Sequence, residues 1–473
     1  MLSYSVRYVE ESPATVGEAG LMHHRRIISV VALLLTLSAC SWGQTLGNSG
    51  RTGWNSLPGA ISPENVSTLH YLWKPVDGTF LAALDNDFAY GAGSSDSAQP
   101  ELHTYSAGGT NGCSGSPRVC TPVWIGDITS DPLPAQGPNV PSSPAVDAHY
   151  VYISEIQNHM WRLLVFDRLG RDGCNTATPR RCAPIGVAAV ASEASAAPSL
   201  TLADDNVYVS TRTFNPLVTT TIGIRRSALV GCAGTSACAP FMTVTTDAIA
   251  NMPAVDGGRL YLRTYGGAGI FDARGIQGCT NGICSALAYL QFPLSVTEFG
   301  VSRGRVYVQD RSDLRVFDAA GIEGCSRAPV LCDPIWTTNT GARAAGGFAV
   351  LITPNVVVVP INLETRTELR AYDAHGVTGC NPTTRVCEAL WRVPSMTNLV
   401  GVIGAGNVGL ATDAAAGSPG TFSAFRLDGL GCAGVPLTCP SLYNGAQLPG
   451  IPTAVAFGRV VVSSPNSQVY AVG

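Results

Sequence analysis

Charge is scarce in this chain: 13% of its 473 residues are Asp, Glu, Lys or Arg, and their near balance leaves a formal net charge of −4. With no basic stripe and no acidic tail, nothing favours electrostatic capture of nucleic acid. The usual catalytic signatures are missing too, since there is no G-x-S-x-G, H-E-x-x-H, Walker loop or EF-hand pattern. Adjacent cysteines, C-x-x-C pairs and C-x-x-C-H haem sites are also lacking, which excludes a thioredoxin-like redox motif and a covalently held haem. The seven histidines are scattered: His23 and His24 lie near the start, and His70, His103, His149, His159 and His375 recur at no fixed offset, so no metal cluster is expected.

What is abundant is 52 Gly and 31 Pro, with many Val, Ala, Thr and Ser, a mix that favours strands and turns over helices. Near the start, HHRR (23–26) precedes the mostly apolar run IISVVALLLTL (27–37) and then LSAC (37–40). Eleven such residues are too few to span a bilayer, so this reads as a cleaved export signal. LSAC resembles the bacterial lipobox, whose Cys, here Cys40, would be diacylated and become the first mature residue. Residues 1–21 look like neither anchor nor domain, and Met22 is the expected true start. The expected order is a start extension (1–21), a signal with lipobox (22–39), a mature linker (40–64) and one repeat domain (65–473).

The other 14 cysteines fall into close pairs: Cys113/Cys120, Cys174/Cys182, Cys232/Cys238, Cys279/Cys284, Cys325/Cys332, Cys380/Cys387 and Cys432/Cys439. In an exported chain, local pairs read as disulfides, each a staple closing its own hairpin. Zinc would need four ligands per ion, and seven pairs cannot combine into whole four-cysteine sites.

The first cysteines stand 61, 58, 47, 46, 55 and 52 residues apart, and aligning on them exposes one grammar. An entry such as SSPAVD (142–147) or MPAVD (252–256) leads to an alternating run, YVYIS (150–154), RLYLR (259–263) or RVYVQ (305–309), read as a half-buried strand. A third run follows (LLVFD, GIFDA, LRVFDA, LRAYDA), then the cysteine turn, then a fourth run. Four residues after the second cysteine stand Trp124, Trp336, Trp391 and Tyr443, with Met242 and Gly186 as weaker occupants and Tyr289 one place later; all are expected to pack between units. Four short strands per unit of about 50 residues is the signature of a β-propeller. After the last pair, residues 451–473 supply three strands without a fourth, and NVSTLHYLWKPV (65–76), with Trp73, can supply it. The expectation is an all-β, eight-bladed propeller of four-stranded blades, closed by an N-terminal strand.

The unit YDA…G…LW is similar to the repeat of quinoprotein-like (PQQ-like) propellers, and SGRTGWNSLPGAISPENVSTLHYLW (49–73) resembles their N-terminal approach. The likeness covers nearly the whole expected mature chain and speaks for architecture more than function. In this chain a longer cysteine hairpin replaces the Thr-Gly turn of that repeat. Catalytic members hold pyrroloquinoline quinone and calcium beside two adjacent cysteines, which this chain lacks, and other members are non-catalytic exported lipoproteins. The resemblance with the lipobox implies a cell-envelope lipoprotein, a binding or assembly scaffold with no cofactor expected, held to the membrane by its lipid and meeting a protein or glycan partner. A quinone- and calcium-dependent dehydrogenase and a glycan- or peptide-binding propeller are the alternatives.

In such blades the turn between strands three and four lies on one face of the disc and the turn between strands two and three on the other. The cysteine hairpins should therefore share one face. Variable connections should occupy the opposite face: EIQNHMWR (155–162), TRTFNPLVTTT (211–221), NLETRTE (362–368) and DAAAGSPG (413–420), with the Pro-rich residues 128–141. Loops on rigid scaffolds carry binding residues, so Glu155, His159, Trp161, Arg212, Phe214, Glu364 and Arg366 are the binding-face candidates.

Overall fold

The computed structural model describes residues 43–56, 61–94, 100–128, 142–157, 160–192, 198–214, 217–232, 238–247, 252–292, 299–309, 313–326, 330–338, 343–344, 350–363, 367–396, 399–413, 421–445, 451–463 and 467–472. Apart from two short 3₁₀ turns, they form only strands and turns. The strands make eight sheets, each the core of one blade of a propeller.

Blade 1 comprises Phe80–Leu84, Phe88–Ser94, Pro100–Ser106 and Trp124–Asp127, each antiparallel to the next. Blades 2 to 7 repeat the pattern over residues 145–192, 199–246, 254–291, 299–338, 343–396 and 399–445. Blade 8 joins the two ends of the repeat domain. Ile451–Ala456, Arg459–Ser463 and Gln468–Ala471 are followed by His70–Pro75, which pairs antiparallel with the last of them, His70 opposite Ala471.

The alternating second strands are buried on both sides rather than on one. Within Arg305–Gln309 of blade 5, Val306 and Val308 enter the apolar core shared with blade 4, whereas Tyr307 enters the core shared with blade 6. Period-two patterning here sorts side chains between two neighbouring blades, not between core and water.

Each part of the repeat acts at a blade junction. The third-strand Asp receives the backbone N–H groups of the following turn: Asp318 Oδ2 accepts from Ile322 at 2.8 Å and Glu323 at 2.9 Å, and Asp373 Oδ2 from Val377 at 3.0 Å and Thr378 at 2.6 Å. Ala273, Ala319 and Ala374 offer carbonyls to the second-strand tyrosine of the preceding blade, so Tyr208, Tyr261 and Tyr307 donate across the junction at 2.6, 2.8 and 3.0 Å. Between blades 1, 2 and 3 the tyrosine instead meets a carboxylate held by the next blade's arginine: Tyr90 to Asp85 with Arg168, and Tyr152 to Asp147 with Arg226.

The turn glycine lies against the fourth-strand side chain of the preceding blade: Gly109 on Trp73, Gly170 on Trp124, Gly376 on Trp336 and Gly429 on Trp391. These indoles are all buried. Tyr289 departs from that pattern. It is 39% exposed, and Ala288 occupies the contact with Gly321, because a shift of one residue along a strand turns the side chain to the other side.

All seven disulfides form: Cys113–Cys120, Cys174–Cys182, Cys232–Cys238, Cys279–Cys284, Cys325–Cys332, Cys380–Cys387 and Cys432–Cys439. Each hairpin also laps onto the outer edge of the preceding blade. Arg118–Cys120 runs parallel to His70–Pro75 of blade 8, Arg180–Cys182 to Trp124–Asp127 of blade 1, and Val386–Cys387 to Trp336–Thr338 of blade 5. Blades 4, 5 and 7 do the same through Ile283, Leu331–Cys332 and Thr438, and in blade 3 the Cys232 carbonyl accepts from Val187 N–H at 2.8 Å. The clasp covers an outer strand edge that would otherwise be open.

Each disulfide closes its own hairpin, as expected, and the lapping adds a second role between blades. The second cysteine of every pair is buried: Cys120, Cys182, Cys238, Cys284, Cys332, Cys387 and Cys439. Each joins an apolar core between blades, Cys238 in the cluster that holds Val165 and Leu229, Cys284 in that of Met242 and Phe271, and Cys439 in that of Trp391 and Phe425. The physical reason is that a hairpin folded over its neighbour turns this sulfur inward, where it packs as a small hydrophobic group. The first cysteines stay half-buried, apart from Cys232, which is buried as well.

Gly376 and Gly304 both sit at positive φ, 72° and 75°. A Cβ on Gly376 would overlap the Trp336 indole, whereas around Gly304 there is open space. Gly376→Ala is expected to cost about 1–3 kcal/mol more than Gly304→Ala in guanidinium denaturation, the difference being the overlap alone. Equal losses would show that the glycine is required only by its backbone conformation.

Candidate functional site

The first described residues do not trail away from the disc. Residues 43–55, expected as a linker, run along the inner strands of blades 2 to 8 in chain order. The carbonyls of Gly43, Ser49, Gly50, Thr52 and Gly53 accept from the N–H groups of Val146, Val255, Val301, Ile352 and Gly404 at 2.6–2.8 Å. Gln44 makes two bonds to the Leu202 backbone, Trp54–Asn55 pairs parallel with blade 7, and Asn55 Nδ2 donates to Val455 O at 3.0 Å. Innermost strands have a free edge facing the axis, and this belt supplies it with partners. Every contact lies just before the turn between strands one and two, so the belt sits at the end of the axis on the same face as the cysteine hairpins. A Cβ on Gly43 or Gly50 would overlap the carbonyl of Val146 or Val301, which explains the small residues of this stretch.

On the opposite face the ladders reach further than expected. Tyr150–Gln157 and Met160–Asp167 pair as far as Gln157 opposite Met160, and Asn206–Phe214 and Leu217–Arg225 as far as Phe214 opposite Leu217. The segments read as connections at 155–162 and 211–221 are therefore mostly strand. Glu155 stands directly opposite Arg162 and forms an ion pair with it, so these charges, expected in a connection, are a cross-strand pair. Glu155 and Trp161 are each 1% exposed. Arg212 is half-buried on the second strand of blade 3, and Phe214 closes that strand. His159, Glu364 and Arg366 lie outside the described residues, as do 414–420 and 129–141. Glu368, at the start of the third strand of blade 6, is likewise buried, beside Arg370 and 4.0 Å from Arg392.

A denser group, not expected from the sequence, joins blade 8 to blade 1. His103 is buried between two carboxylates, with Nδ1 2.8 Å from Asp77 Oδ2 and Nε2 2.9 Å from Glu101 Oε2. Tyr105 donates to both Asp77 oxygens at 2.6 and 2.7 Å, and Thr79 Oγ1 donates to Oδ1 at 2.6 Å. Arg181, from the clasping hairpin of blade 2, pairs with Glu101 at 3.0 Å and Asp127 at 2.7 Å. Burial lowers the His103 pKa, but hydrogen bonds and charge from Asp77 and Glu101 outweigh it, and the net shift is upward. Burial raises the Asp77 pKa, and its bonds to His103, Thr79 and Tyr105 overcome this and hold it well below the usual range. With a carboxylate oxygen at hydrogen-bond distance from each ring nitrogen, both nitrogens of His103 are engaged within the group. No group of three metal-binding side chains able to hold an ion occurs among the described residues.

Two openings lie among the described residues. A cleft of about 540 Å³ between blades 3 and 4 is lined by Thr245, Asp247, Thr264, Tyr265 and Tyr289, with Tyr265 N–H donating to Asp247 at 2.9 Å. A smaller one of about 280 Å³ on the hairpin face lies among Arg303, Arg305, Asp318 and His375.

No protein-family model matches the chain, and no curated protein matches it. Similar solved structures include the WD40 domain of Toxoplasma gondii coronin (10% identity, 69% of this chain and 79% of that one, TM-score 0.40). Another is Kluyveromyces lactis Hsv2p (9%, 79% and 96%, TM-score 0.37), and a third is apo AztD from Citrobacter koseri (12%, 75% and 87%, TM-score 0.35). The chain is an eight-bladed β-propeller. Its seven disulfides fit an oxidising compartment, and no helix among the described residues is long and apolar enough to cross a membrane.

The junction of blades 8 and 1 makes stability depend on pH. A raised His103 pKa contributes fully below about pH 6.5, the unfolded value, and is lost as pH rises through the folded one; a lowered Asp77 pKa contributes above about pH 4 and is lost in acid. The joint contribution is thus largest between about pH 4 and 6.5. Denaturation midpoints across pH should show His103→Gln losing most stability in that window and flattening the fall toward pH 8. A constant offset at all pH values would remove His103 as the titrating group.

Proposed function

We propose that the chain is an exported lipoprotein of the cell envelope, of the non-catalytic PQQ-like branch, whose propeller is a binding or assembly scaffold for a protein or glycan partner. The belt carries this reading. Gly43 is bonded to Val146 on the hairpin face, three residues after Cys40. Three residues reach at most about 11 Å, so a lipid on Cys40 would leave from the hairpin side and the opposite face would be turned toward partners. The clasps support a scaffold role, because a ring locked at its junctions presents its loops on a fixed frame.

The residues present do not fit the quinone site of the catalytic members. Every described cysteine is in a rim hairpin disulfide, and none is placed for a ring of adjacent cysteines at the axis. The glycan reading is favoured by one observation, the cleft where Tyr265 and Tyr289 stand exposed beside Asp247. A Tyr265→Ala, Tyr289→Ala double variant that loses binding on a glycan array would select that version of the scaffold.

Cys40→Ser is expected to move the protein from the membrane to the soluble fraction on cell fractionation, and continued membrane retention would remove the lipobox. Incubation with pyrroloquinoline quinone and calcium should give no stoichiometric binding and no dye-linked alcohol or sugar oxidation. A positive result would replace the scaffold with the dehydrogenase.

A further inference from the structure

Five successive blades expose an aliphatic side chain near the same point of the cysteine hairpin. Val230 in blade 3 is 42% exposed, and Ile276, Ile322, Val377 and Leu430 in blades 4 to 7 are 62–77% exposed. The last four directly follow the positive-φ turn glycine, and Val230 stands just before the glycine that precedes Cys232. Single exposed aliphatics need no explanation, but recurrence on one face does.

The fold does not demand it. In blade 2 the corresponding residue is Arg171, whose N–H donates to Asp167 Oδ2 at 2.7 Å, as that of Ile322 does to Asp318 at 2.8 Å. The same turn therefore forms with a charged side chain, and the apolar choice in blades 3 to 7 serves something outside the blade. In blade 7 the hairpin adds a fully exposed Val435.

What covers this arc follows from the belt. We infer that the hairpin face lies against the bilayer, with the arc of Val230, Ile276, Ile322, Val377 and Leu430 entering the interfacial layer around the Cys40 anchor. The inference rests on the lipoprotein reading, because the anchor, at most about 11 Å from Gly43, brings the membrane to this face. A diacylated Cys40 would hold the chain to the bilayer by itself, and a ring of shallow aliphatic contacts would fix which face of the disc meets it. The face also carries exposed Arg274, Arg303 and Arg385, and exposed Glu323, Asp333 and Glu388. With this balance of charge, apolar contact rather than charge is the attraction.

The test uses lipidated full-length protein in vesicles of phosphatidylethanolamine and phosphatidylglycerol brominated on the acyl chains. Flotation reports the anchor, and tryptophan quenching reports the face. Ile322→Trp and Val377→Trp should be quenched relative to the unsubstituted chain, whereas Met160→Trp, on the opposite face, should not. Ile276→Ser, Val377→Ser and Leu430→Ser together, introduced into the lipidated Ile322→Trp chain, should remove most of its quenching while flotation is kept. Protein that floats with no quenching at Ile322→Trp or Val377→Trp overturns the inference and assigns the arc to a protein partner, leaving the lipoprotein reading intact. Lipid-processed protein that fails to float overturns both.

Discussion

Everything in this ring depends on one contact, the closure of each hairpin over the fourth strand of the blade before it. A four-stranded sheet with two apolar sides cannot remain wet on either, so it must be stacked on both. The alternation of Val306, Tyr307 and Val308 serves those two sides at once. Stacking needs a register, and the turn glycine resting on an indole provides it: Gly376 against Trp336, Gly429 against Trp391. The disulfide closes the hairpin, and the hairpin laps onto the neighbouring strand with its second sulfur in the shared core, so the staple within one blade also secures the joint between two.

One junction has no such hairpin. The connection between the third and fourth strands of blade 8 is where the two ends of the chain meet, and blade 7 must be secured otherwise. There the N-terminal segment stands in: Glu64 lies 3.6 Å from Arg426, and Tyr443 donates to Leu69 O at 3.5 Å. The same segment, a few residues earlier, lines the inner strands, and a few residues later it provides the fourth strand of blade 8. Its three tasks explain why its character is unlike that of any repeat. Small residues pass close to backbone, and then an ordinary strand with Trp73 follows.

The blade count, the ring closure and the disulfide pairing were legible because each is written as a period, with cysteines, FDA-type ends and Trp recurring in register. What recurs only once was not. The belt has no period, and most of its hydrogen bonds to the blades come from its own backbone, with Gln44 and Asn55 the side-chain exceptions. The His103 group draws Asp77, Glu101 and Arg181 from three places in the chain that meet only when the hairpin of blade 2 laps onto blade 1. Spacing shows which cysteines pair but not which sulfur is covered, because Cys238, Cys284 and Cys439 are buried by the neighbouring blade rather than by their own turn. Strand ends are not written in the repeat either, since the ladders run through Glu155 and Arg162, which lie where the repeat places a variable connection. Tyr289 shows the limit of alignment by spacing, since one residue of slippage exchanges a docking residue for an exposed one.

The two faces are consequently under different constraints. On the hairpin face the glycine, the Asp and the disulfide fix the backbone without fixing the side chain after the glycine, as Arg171 shows, which is why its apolar identity in blades 4 to 7 carries information. On the opposite face the tight ladders draw Glu155 and Glu368 inward, against Arg162 and Arg370, and leave them no contact with a partner. Under the proposed scaffold reading, recognition there falls to the connections between strands and between blades. These are positions where length changes leave the ladder register untouched, so one ring can present very different surfaces without altering a single junction.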